Sequence, residues 1–118
     1  MRIGEIYWVN LDPVIGNEIR KRRPAVVLNG GHAKHLALAI VVPITAWKSF
    51  LEGNPFFVAL EPDGINGLKK KSIVDCFQIR AVSHERFMEK VGSISPAEID
   101  RIKTAASLIL DIEPAHCE

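Results

Sequence analysis

Cysteine is scarce in this sequence, which has only Cys76 and Cys117 among its 118 residues. The two lie far apart, and neither belongs to a CxxC pair or to a metal-ligand spacing. Disulfide scaffolds and structural zinc sites need more cysteine than this, in closer spacing. We therefore expect two free thiols in a reducing compartment. Cys76 falls inside a strand pattern, where a buried, inert thiol is expected rather than a nucleophile.

The sequence also has no long apolar run near its N-terminus. The short apolar stretch there is interrupted by Glu5, Asn10 and Asp12, a pattern typical of neither a signal peptide nor a spanning helix. We therefore expect a cytoplasmic protein that does not insert into a membrane. Its length of 118 residues fits a single domain, residues 1–118, with one hydrophobic core.

Neither sign of charge dominates, because the formal net charge is only +1. This excludes the global basic field of histone-like proteins. The positive residues are instead clustered, above all at Arg20–Arg23 and Lys69–Lys71. Such a cluster suits a local anionic site, although a run of charges is also typical of a solvated surface.

Several catalytic motifs are missing. The sequence contains no GxxxxGK[ST] phosphate loop and no nucleophile elbow, so nucleotide hydrolysis and α/β-hydrolase chemistry have no support. His32 and His35 form an HxxH pair, but no nearby cysteine or carboxylate supplies a third ligand. We therefore predict no metal site and no cofactor.

The patterns that are present predict many short strands and one helix. Ser95-Pro96-Ala97-Glu98 is a capping box that opens a helix with an apolar stripe. Pro43, within the longest apolar run, must lie at a bulge or where no ladder donor is needed. The fold predicted is mainly β, a small bent barrel closed by a C-terminal α-helix. The predicted strands are Ile3–Leu11, Ala25–Leu28, Leu36–Thr45, Phe56–Leu60, Ser72–Arg80, Ala81–Val82 and Glu89–Gly92.

The most informative stretch runs from Asn17 to Pro24 and contains four consecutive cations. Arg23 precedes Pro24, which favours an extended and stiff backbone from which a guanidinium can reach a phosphate. Glu18 lies among the cations and stays ionised there, so it could accept a proton or orient an arginine. Thr45 ends the longest apolar strand, where a hydroxyl can bind substrate or cap a turn. Arg23 could instead be a rim residue that pairs with Asp12 or Glu18.

Taken together, these segments resemble the MazF/PemK/Kid family of toxin–antitoxin ribonucleases, over nearly the whole chain. The matching segments are Gly4-Glu5-Ile6-Tyr7-Trp8-Val9, Leu11-Asp12-Pro13, Gly16-Asn17-Glu18, Arg23-Pro24-Ala25-Val26-Val27-Leu28, Val42-Pro43-Ile44-Thr45 and Gln78-Ile79-Arg80.

The resemblance implies an SH3-like barrel, shared with CcdB, and a homodimer. It also implies metal-independent, sequence-specific cleavage of single-stranded RNA to 2′,3′-cyclic phosphate and 5′-hydroxyl ends. The family's catalytic arginine, threonine and loop carboxylate map onto Arg23, Thr45 and Glu18. The family pairs with a cognate antitoxin, an inhibitor whose extended acidic and apolar segment covers the RNA groove.

The chemistry fits these residue types, because RNA supplies its own 2′-hydroxyl nucleophile. Arg23 can stabilise a phosphorane and Thr45 can bind a phosphate oxygen, while an ordinary arginine is a poor general base, which leaves Glu18 as the candidate. Polar and cationic residues around the loop are expected to bind the RNA. They are Asn17, Arg20, Lys21, Arg22, Lys48, Gln78 and Arg80.

Three positions depart from the family. Asn17 stands where some members have a histidine, and Asp75 and Phe77 do not match the arginine and aspartate of the Kid branch. Strand parity predicts that Asp75 and Phe77 share a face, with Phe77 in the core. A CcdB-like gyrase poison and a non-catalytic SH3-like interaction module remain alternatives. The poison would depend on the C-terminal helix, and neither would need Arg23.

Overall fold

The computed structural model describes residues 1–30 and 35–113. Seven strands precede a single C-terminal helix in this part of the chain, so the prediction of a mainly β protein with a terminal helix is confirmed. The strands are β1 (Glu5–Asn10), β2 (Arg22–Val27), β3 (Leu38–Ala46), β4 (Phe57–Leu60), β5 (Ser72–Asp75), β6 (Arg80–Ser83) and β7 (Phe87–Ser93), and the helix is α1 (Pro96–Ile109).

The strands form one antiparallel, strongly bent sheet in the order β4-β5-β3-β2-β1-β7. β6 lies off this path and pairs with β3. The arrangement is barrel-like, although among the described strands no pairing closes β4 onto β7. The sheet curves because β3 is long and changes neighbour half-way along its length.

Pro43 lies at that change of neighbour. β3 pairs with β6 through Leu38–Val41 and with β5 through Ile44–Ala46. Pro43 falls between the two ladders and faces Ala25 of β2 on its other side. A residue without an N–H is tolerated there because neither β5 nor β6 offers it a ladder partner. The prediction for Pro43 is therefore confirmed.

The predicted strand Ser72–Arg80 is wrong as a single element. β5 ends at Asp75, a 3₁₀ turn spans Cys76–Gln78, and β6 begins at Arg80. The turn forms because the Asp75 carboxylate accepts a hydrogen bond from the Phe77 N–H at 3.1 Å, which draws the chain out of the ladder. The two side chains consequently do not share a face, since Asp75 is buried and Phe77 is 61% exposed.

The helix covers one end of the core as its sequence predicts. The Ser95 hydroxyl accepts from the Glu98 N–H at 3.2 Å, and the Glu98 carboxylate accepts from the Ser95 N–H at 2.9 Å. Ile102 and Ala106 are buried on the face toward the sheet. A second cluster, which includes Val9 and Val41, lies on the other side of the sheet, beneath the β1–β2 connection.

Within residues 1–30 and 35–113, no helix has the length and apolarity needed to cross a membrane.

One ion pair ties the first strand to the last. Lys90 Nζ on β7 lies 2.6 Å from Glu5 Oε2 on β1. The hydrogen bond from Lys90 is the largest cause that lowers the pKa of Glu5 below its usual 4.5, against an opposing effect of burial. A carboxylate with a lowered pKa stabilises the fold above its unfolded-state pKa and loses this contribution as the pH falls through the folded-state value.

We therefore expect Glu5→Gln to lower the melting temperature at pH 7 by a few degrees, on the order expected for a partly exposed pair. The difference from the unmodified protein should disappear in thermal melts well below pH 4.5. Glu89→Gln is the matched control, because Glu89 is exposed on the same strand β7. An equal loss in both variants, or a loss that persists at acid pH, would contradict this assignment.

Candidate functional site

The pairing of β2 with β3 brings two of the predicted catalytic residues together. Ala25 lies opposite Pro43, and Val26 lies opposite Val42. Continuing this register toward the start of β2 sets Arg23 across from Thr45. Both side chains are half-buried, and both line the same groove of about 530 Å³. We call it the Arg23 groove.

The Arg23 groove is strongly positive. Its lining includes four cations, Arg22, Arg23, Lys69 and Lys70, and contains no aspartate or glutamate. Within the described part of the chain, none of the four forms an ion pair. Clustered cations without a counter-charge repel one another and are stabilised when an anion binds between them. The groove is therefore suited to a phosphate chain.

Lys71, the last residue of the lysine run, is engaged elsewhere. Its ammonium lies 3.4 Å from Glu61 Oε1 and 4.2 Å from the centre of the Trp47 ring. This contact holds the side chain away from the Arg23 groove, of which Lys71 is not a lining residue. Only the first two lysines of the run therefore contribute their charge to the groove.

Arg23 is available to a ligand through most of its fork. Its Nε donates to the carbonyl of Arg20 at 3.4 Å, a long bond that orients the side chain. Among the described residues, Arg23 forms no ion pair with Asp12 or Glu18. Asp12 Oδ1 instead accepts from the Lys21 N–H at 3.1 Å. The rim pairing considered from the sequence is therefore not formed.

Glu18 lies in a second groove, of about 400 Å³, which we call the Glu18 groove. Asn17, Gln78 and Arg80 line it together with Glu18, and so does Pro43 of β3. The two grooves thus meet β3 at adjacent residues, Pro43 in one and Ile44 and Thr45 in the other. The structure does not bring the carboxylate of Glu18 into the groove that holds Arg23 and Thr45.

The remaining predicted RNA-binding residues divide in the same way. Arg22 lines the Arg23 groove, whereas Asn17, Gln78 and Arg80 line the Glu18 groove. Arg20, Lys21 and Lys48 are exposed and line neither groove. Lys48 directly precedes the short 3₁₀ turn Ser49–Leu51 that follows β3.

Three side chains that follow β5 hold the β1–β2 connection in place. Arg80 Nη1 donates to the Leu11 carbonyl at 3.2 Å. Arg86 Nη1 donates to the Asn10 carbonyl at 3.2 Å and also to the Asp12 carbonyl. The amide of Gln78 bonds to the backbone of Asn17 and Ile19. The position of Glu18 is therefore set by residues far along the chain.

Comparison with known proteins identifies this arrangement. The family model for PemK-like, MazF-like toxins of type II toxin–antitoxin systems matches residues 2–110. The chain belongs to this family. Endoribonuclease MazF9 of Mycobacterium tuberculosis is 35% identical over 118 residues, covering 95% of this chain and 98% of the relative. Endoribonuclease toxin MazF of Escherichia coli is 27% identical over 110 residues, covering 92% of each chain.

Solved structures agree on the fold of this MazF-like toxin. The crystal structure of MazF from Deinococcus radiodurans superposes with a TM-score of 0.79 at 23% identity, covering 94% of this chain and 96% of the other. An endoribonuclease in complex with its cognate antitoxin, from a mycobacterial species, superposes with a TM-score of 0.76 at 19% identity, covering 98% and 99%. The predicted MazF-type fold is thus confirmed.

The groove contains residues that sequence reasoning missed as ligand contacts. Lys69 and Lys70 were visible only as part of a charged run, and Trp8 only as a residue of the first predicted strand. In the toxin, Trp8 is 40% exposed and lines the Arg23 groove. The signal for the lysines was their clustering, but only the fold shows that the run faces Arg23.

The HxxH pair, for which no metal site is predicted, is described only in part, because His32 lies outside the described residues. His35 is exposed. Across residues 1–30 and 35–113, no three histidine, cysteine, aspartate or glutamate side chains come together as ligands.

Asp75, the last residue of β5, and Cys76, the first residue of the 3₁₀ turn, lie in the interior of the toxin, and neither lines a groove. Burial raises the pKa of the Asp75 carboxyl, although hydrogen bonds from the Phe77 N–H and from Gln78 oppose the shift. Burial also raises the pKa of the Cys76 thiol to about 12. The inert thiol predicted at Cys76 is therefore confirmed as a buried group with little thiolate near neutral pH, whereas Cys117 lies outside the described residues.

We expect Cys76 to resist alkylation by iodoacetamide at pH 8 in the folded toxin, because the thiolate is the nucleophile and the thiol is fully buried. Peptide mapping would measure modification at Cys76 alone, with and without denaturant. Rapid labelling of Cys76 without denaturant would contradict the buried assignment.

Proposed function

We propose that this toxin is an endoribonuclease that cuts single-stranded RNA, above all mRNA, without a metal ion. The proposal rests on one observation, the presence of Arg23 and Thr45 together in a cationic groove that has no carboxylate. An RNA chain brings both the phosphate that such a groove attracts and the nucleophile that the reaction needs. The names of the curated relatives support the same activity.

In the proposed reaction, the 2′-oxygen forms a bond to the adjacent phosphorus and the bond from phosphorus to the 5′-oxygen breaks. The products are a 2′,3′-cyclic phosphate and a 5′-hydroxyl. Arg23 stabilises the negative charge of the pentavalent intermediate with its fork, and the Thr45 hydroxyl donates to a non-bridging oxygen. The 2′-hydroxyl loses its proton to a base, and the leaving 5′-oxygen gains one.

Glu18 is the proposed base. For Glu18 to accept the 2′-hydroxyl proton, the RNA must pass over β3 from one groove to the other, because Glu18 does not line the Arg23 groove. Pro43 and Thr45, which line the two grooves, are close neighbours on β3, so a single nucleotide step can span the distance.

The RNA-binding surface follows from the same two grooves. Arg22, Lys69 and Lys70 bind phosphates beside the scissile one, and Trp8 offers an exposed ring on which a base can stack. Asn17, Gln78 and Arg80 contact the strand in the Glu18 groove, while the exposed Arg20, Lys21 and Lys48 contact its flanks.

The partners follow from chemistry and from the relatives. A cognate antitoxin is expected to cover the Arg23 groove with an extended acidic and apolar segment, since cations without a counter-charge attract carboxylates. A related endoribonuclease was solved with its cognate antitoxin. We further propose a homodimer, because large apolar side chains such as Phe50 and Phe77 are exposed, and a cytoplasmic location. Sedimentation at micromolar concentration should give twice the monomer mass.

The first test is cleavage of a long single-stranded RNA by antitoxin-free protein in excess EDTA, with mapping of the product ends. Discrete cuts that leave cyclic phosphates, and that disappear in Arg23→Ala, would support the proposal and give the recognition sequence. No cutting by folded protein would overturn it and favour a gyrase poison or a binding module. A gyrase poison would then be tested on supercoiling.

Lys69 and Lys70 provide a second prediction. The double variant Lys69→Ala/Lys70→Ala should raise KM for RNA about tenfold with little change in kcat, because it removes phosphate contacts made equally in the ground and transition states. The slope of log kcat/KM against log salt should become shallower by about one to two. Arg101→Ala/Lys103→Ala, on the exposed face of α1, is the matched control. Equal effects in both doubles would argue against a local contact.

A further inference from the structure

The segment that carries Glu18 holds itself in a closed turn. Glu18 Oε1 accepts from the Ile15 N–H at 2.7 Å, and the Glu18 N–H donates to the Ile15 carbonyl at 3.3 Å. Both bonds lie within residues 13–19, which we call the Glu18 loop. They shape the loop but do not attach it to the sheet.

Gln78 attaches it. Its Oε1 accepts from the Ile19 N–H at 2.5 Å, and its Nε2 donates to the Asn17 carbonyl at 3.3 Å. The Gln78 amide is therefore hydrogen-bonded to the backbone on both sides of Glu18. Within the part of the chain that the structure describes, these are the only hydrogen bonds that join the Glu18 loop to other residues.

Asp75 in turn orients Gln78. Asp75 Oδ2 accepts from Gln78 Nε2 at 3.1 Å, while its Oδ1 is held by the Phe77 N–H. Asp75 is only 7% exposed, so water cannot easily replace this bond. An ionised carboxylate accepts hydrogen bonds and donates none. It therefore requires Nε2 on its side of the amide, which leaves Oε1 facing the Ile19 N–H.

We propose that Asp75 is a positioning residue of the toxin, which fixes the orientation of the Gln78 amide and through it the place of the Glu18 loop. Asp75 touches neither groove and acts at a distance from the proposed chemistry. The expected effect on RNA cleavage rests on the proposed function. The expected effect on the loop does not.

Asp75→Asn tests the proposal because it keeps the size of the side chain but replaces an acceptor with a donor. In this variant the side-chain oxygen at position 75 stays opposite the Phe77 N–H, so the new NH₂ group faces Gln78. The Gln78 amide then either sets its own NH₂ group against that donor or turns over and sets Nε2 against the Ile19 N–H. Hydrogen exchange of the Ile19 amide, measured in RNA-free protein, should accelerate about tenfold, the effect of losing one well-formed bond.

The pathway through Gln78 is tested by a double-mutant cycle. Gln78→Ala releases the loop directly, so adding Asp75→Asn to it should accelerate Ile19 exchange no further. A role confined to capping the 3₁₀ turn would instead give the same increment in both backgrounds. Asp75→Asn/Gln78→Glu should recover part of the protection at Ile19, because the carboxylate introduced at position 78 would accept from both the new amide at position 75 and the Ile19 N–H. The recovery should be incomplete, because that carboxylate cannot donate to the Asn17 carbonyl as Gln78 Nε2 does.

Two controls bound the result. Ile102→Val lowers global stability in the helix core without touching the loop, and Asp100→Asn repeats the charge change on the exposed face of α1. Unchanged Ile19 exchange in Asp75→Asn, or acceleration equal to that in Ile102→Val, would overturn the proposal.

RNA cleavage supplies an independent readout. If Asp75→Asn releases the loop and lowers kcat about tenfold with KM nearly unchanged, the positioning role in the reaction is supported. Loop release with unaltered kcat and KM would overturn that role while leaving the endoribonuclease proposal intact. Absence of cleavage by the unmodified toxin would overturn the proposed function, and the exchange cycle would still decide how Asp75 and Gln78 hold the loop.

Discussion

Replacing Arg23 with alanine is expected to lower RNA cleavage by about a thousandfold or more and to abolish toxicity in cells. The reason is that Arg23 is the half-buried cation across from Thr45, with most of its guanidinium free to bind a phosphate. The charge that develops on the pentavalent phosphorus is matched by a fork of donors rather than by a point charge. Removing such a group mainly affects kcat.

The fold should survive this change. The Arg23 side chain makes one long hydrogen bond, to the Arg20 carbonyl, and Pro24 still fixes the start of the extended segment. Circular dichroism and thermal melts should therefore match the unmodified protein within the small range typical of surface substitutions. Arg23→Lys keeps the charge without the fork, so we expect intermediate activity.

Arg22→Ala is the matched control, because Arg22 lines the same groove but precedes the residue across from Thr45. It should raise KM several-fold while retaining most of kcat. Comparable losses of kcat in Arg22→Ala and Arg23→Ala would show that the groove needs only total charge. Full toxicity from folded Arg23→Ala protein would exclude the proposed role of Arg23 altogether.

The juxtaposition of Arg23 and Thr45 was within reach of the sequence. Two β-branched runs joined by a short connection are expected to pair as antiparallel neighbours, and both residues lie at the ends of such runs. The change of partner at Pro43 could be anticipated as well, because a missing N–H restricts where a proline can sit.

The 3₁₀ turn after β5 could not be anticipated. The sequence from Ser72 to Arg80 has the apolar character of a strand, and strand parity then puts Asp75 and Phe77 on one face. A single hydrogen bond from the Phe77 N–H to the Asp75 carboxylate outweighs that local preference. The separation of Glu18 from Arg23 has a similar origin, since contacts from Gln78 and Arg80, distant in sequence, set the course of the β1–β2 connection.

The placement of Lys69 and Lys70 depends on a close backbone contact at Gly92. In the sequence, the only sign of this contact is the glycine itself. The connection between β4 and β5 packs directly on β7, where the Ser93 N–H donates to the Ile65 carbonyl at 3.1 Å. A Cβ at Gly92 would lie 2.4 Å from that carbonyl oxygen and 2.5 Å from the backbone of Asn66. The atoms that such a Cβ would meet all belong to the backbone, so no flexible side chain can move aside to make room for it.

Asn66 makes this contact rigid. It is fully buried, and its side chain bonds to the Leu68 N–H at 2.9 Å and to the Glu61 carbonyl at 2.8 Å. The connection therefore cannot move away from Gly92 without breaking these buried hydrogen bonds. Each buried polar group left without a partner would lower the stability of the fold. The packing of this segment therefore fixes the position of Lys69 and Lys70, which follow it in the sequence.

We therefore expect Gly92→Ala to destabilise the protein by about 2–4 kcal/mol, the range for a steric clash in a closely packed region. The melting temperature should fall by roughly 10 °C or more. Gly64→Ala is the matched control in the same connection, since a Cβ there meets nothing within 4 Å, and it should be nearly neutral.

The destabilised variant should also lose affinity for RNA before it unfolds, because the segment that presents Lys69 and Lys70 is displaced from the Arg23 groove. Measured well below its melting temperature, Gly92→Ala should show a raised KM and a shallower salt dependence, as the lysine double variant does. A melting temperature equal to that of Gly64→Ala would mean that β7 can move away from the connection. In that case the backbone contact at Gly92 would not be what sets the position of the lysines.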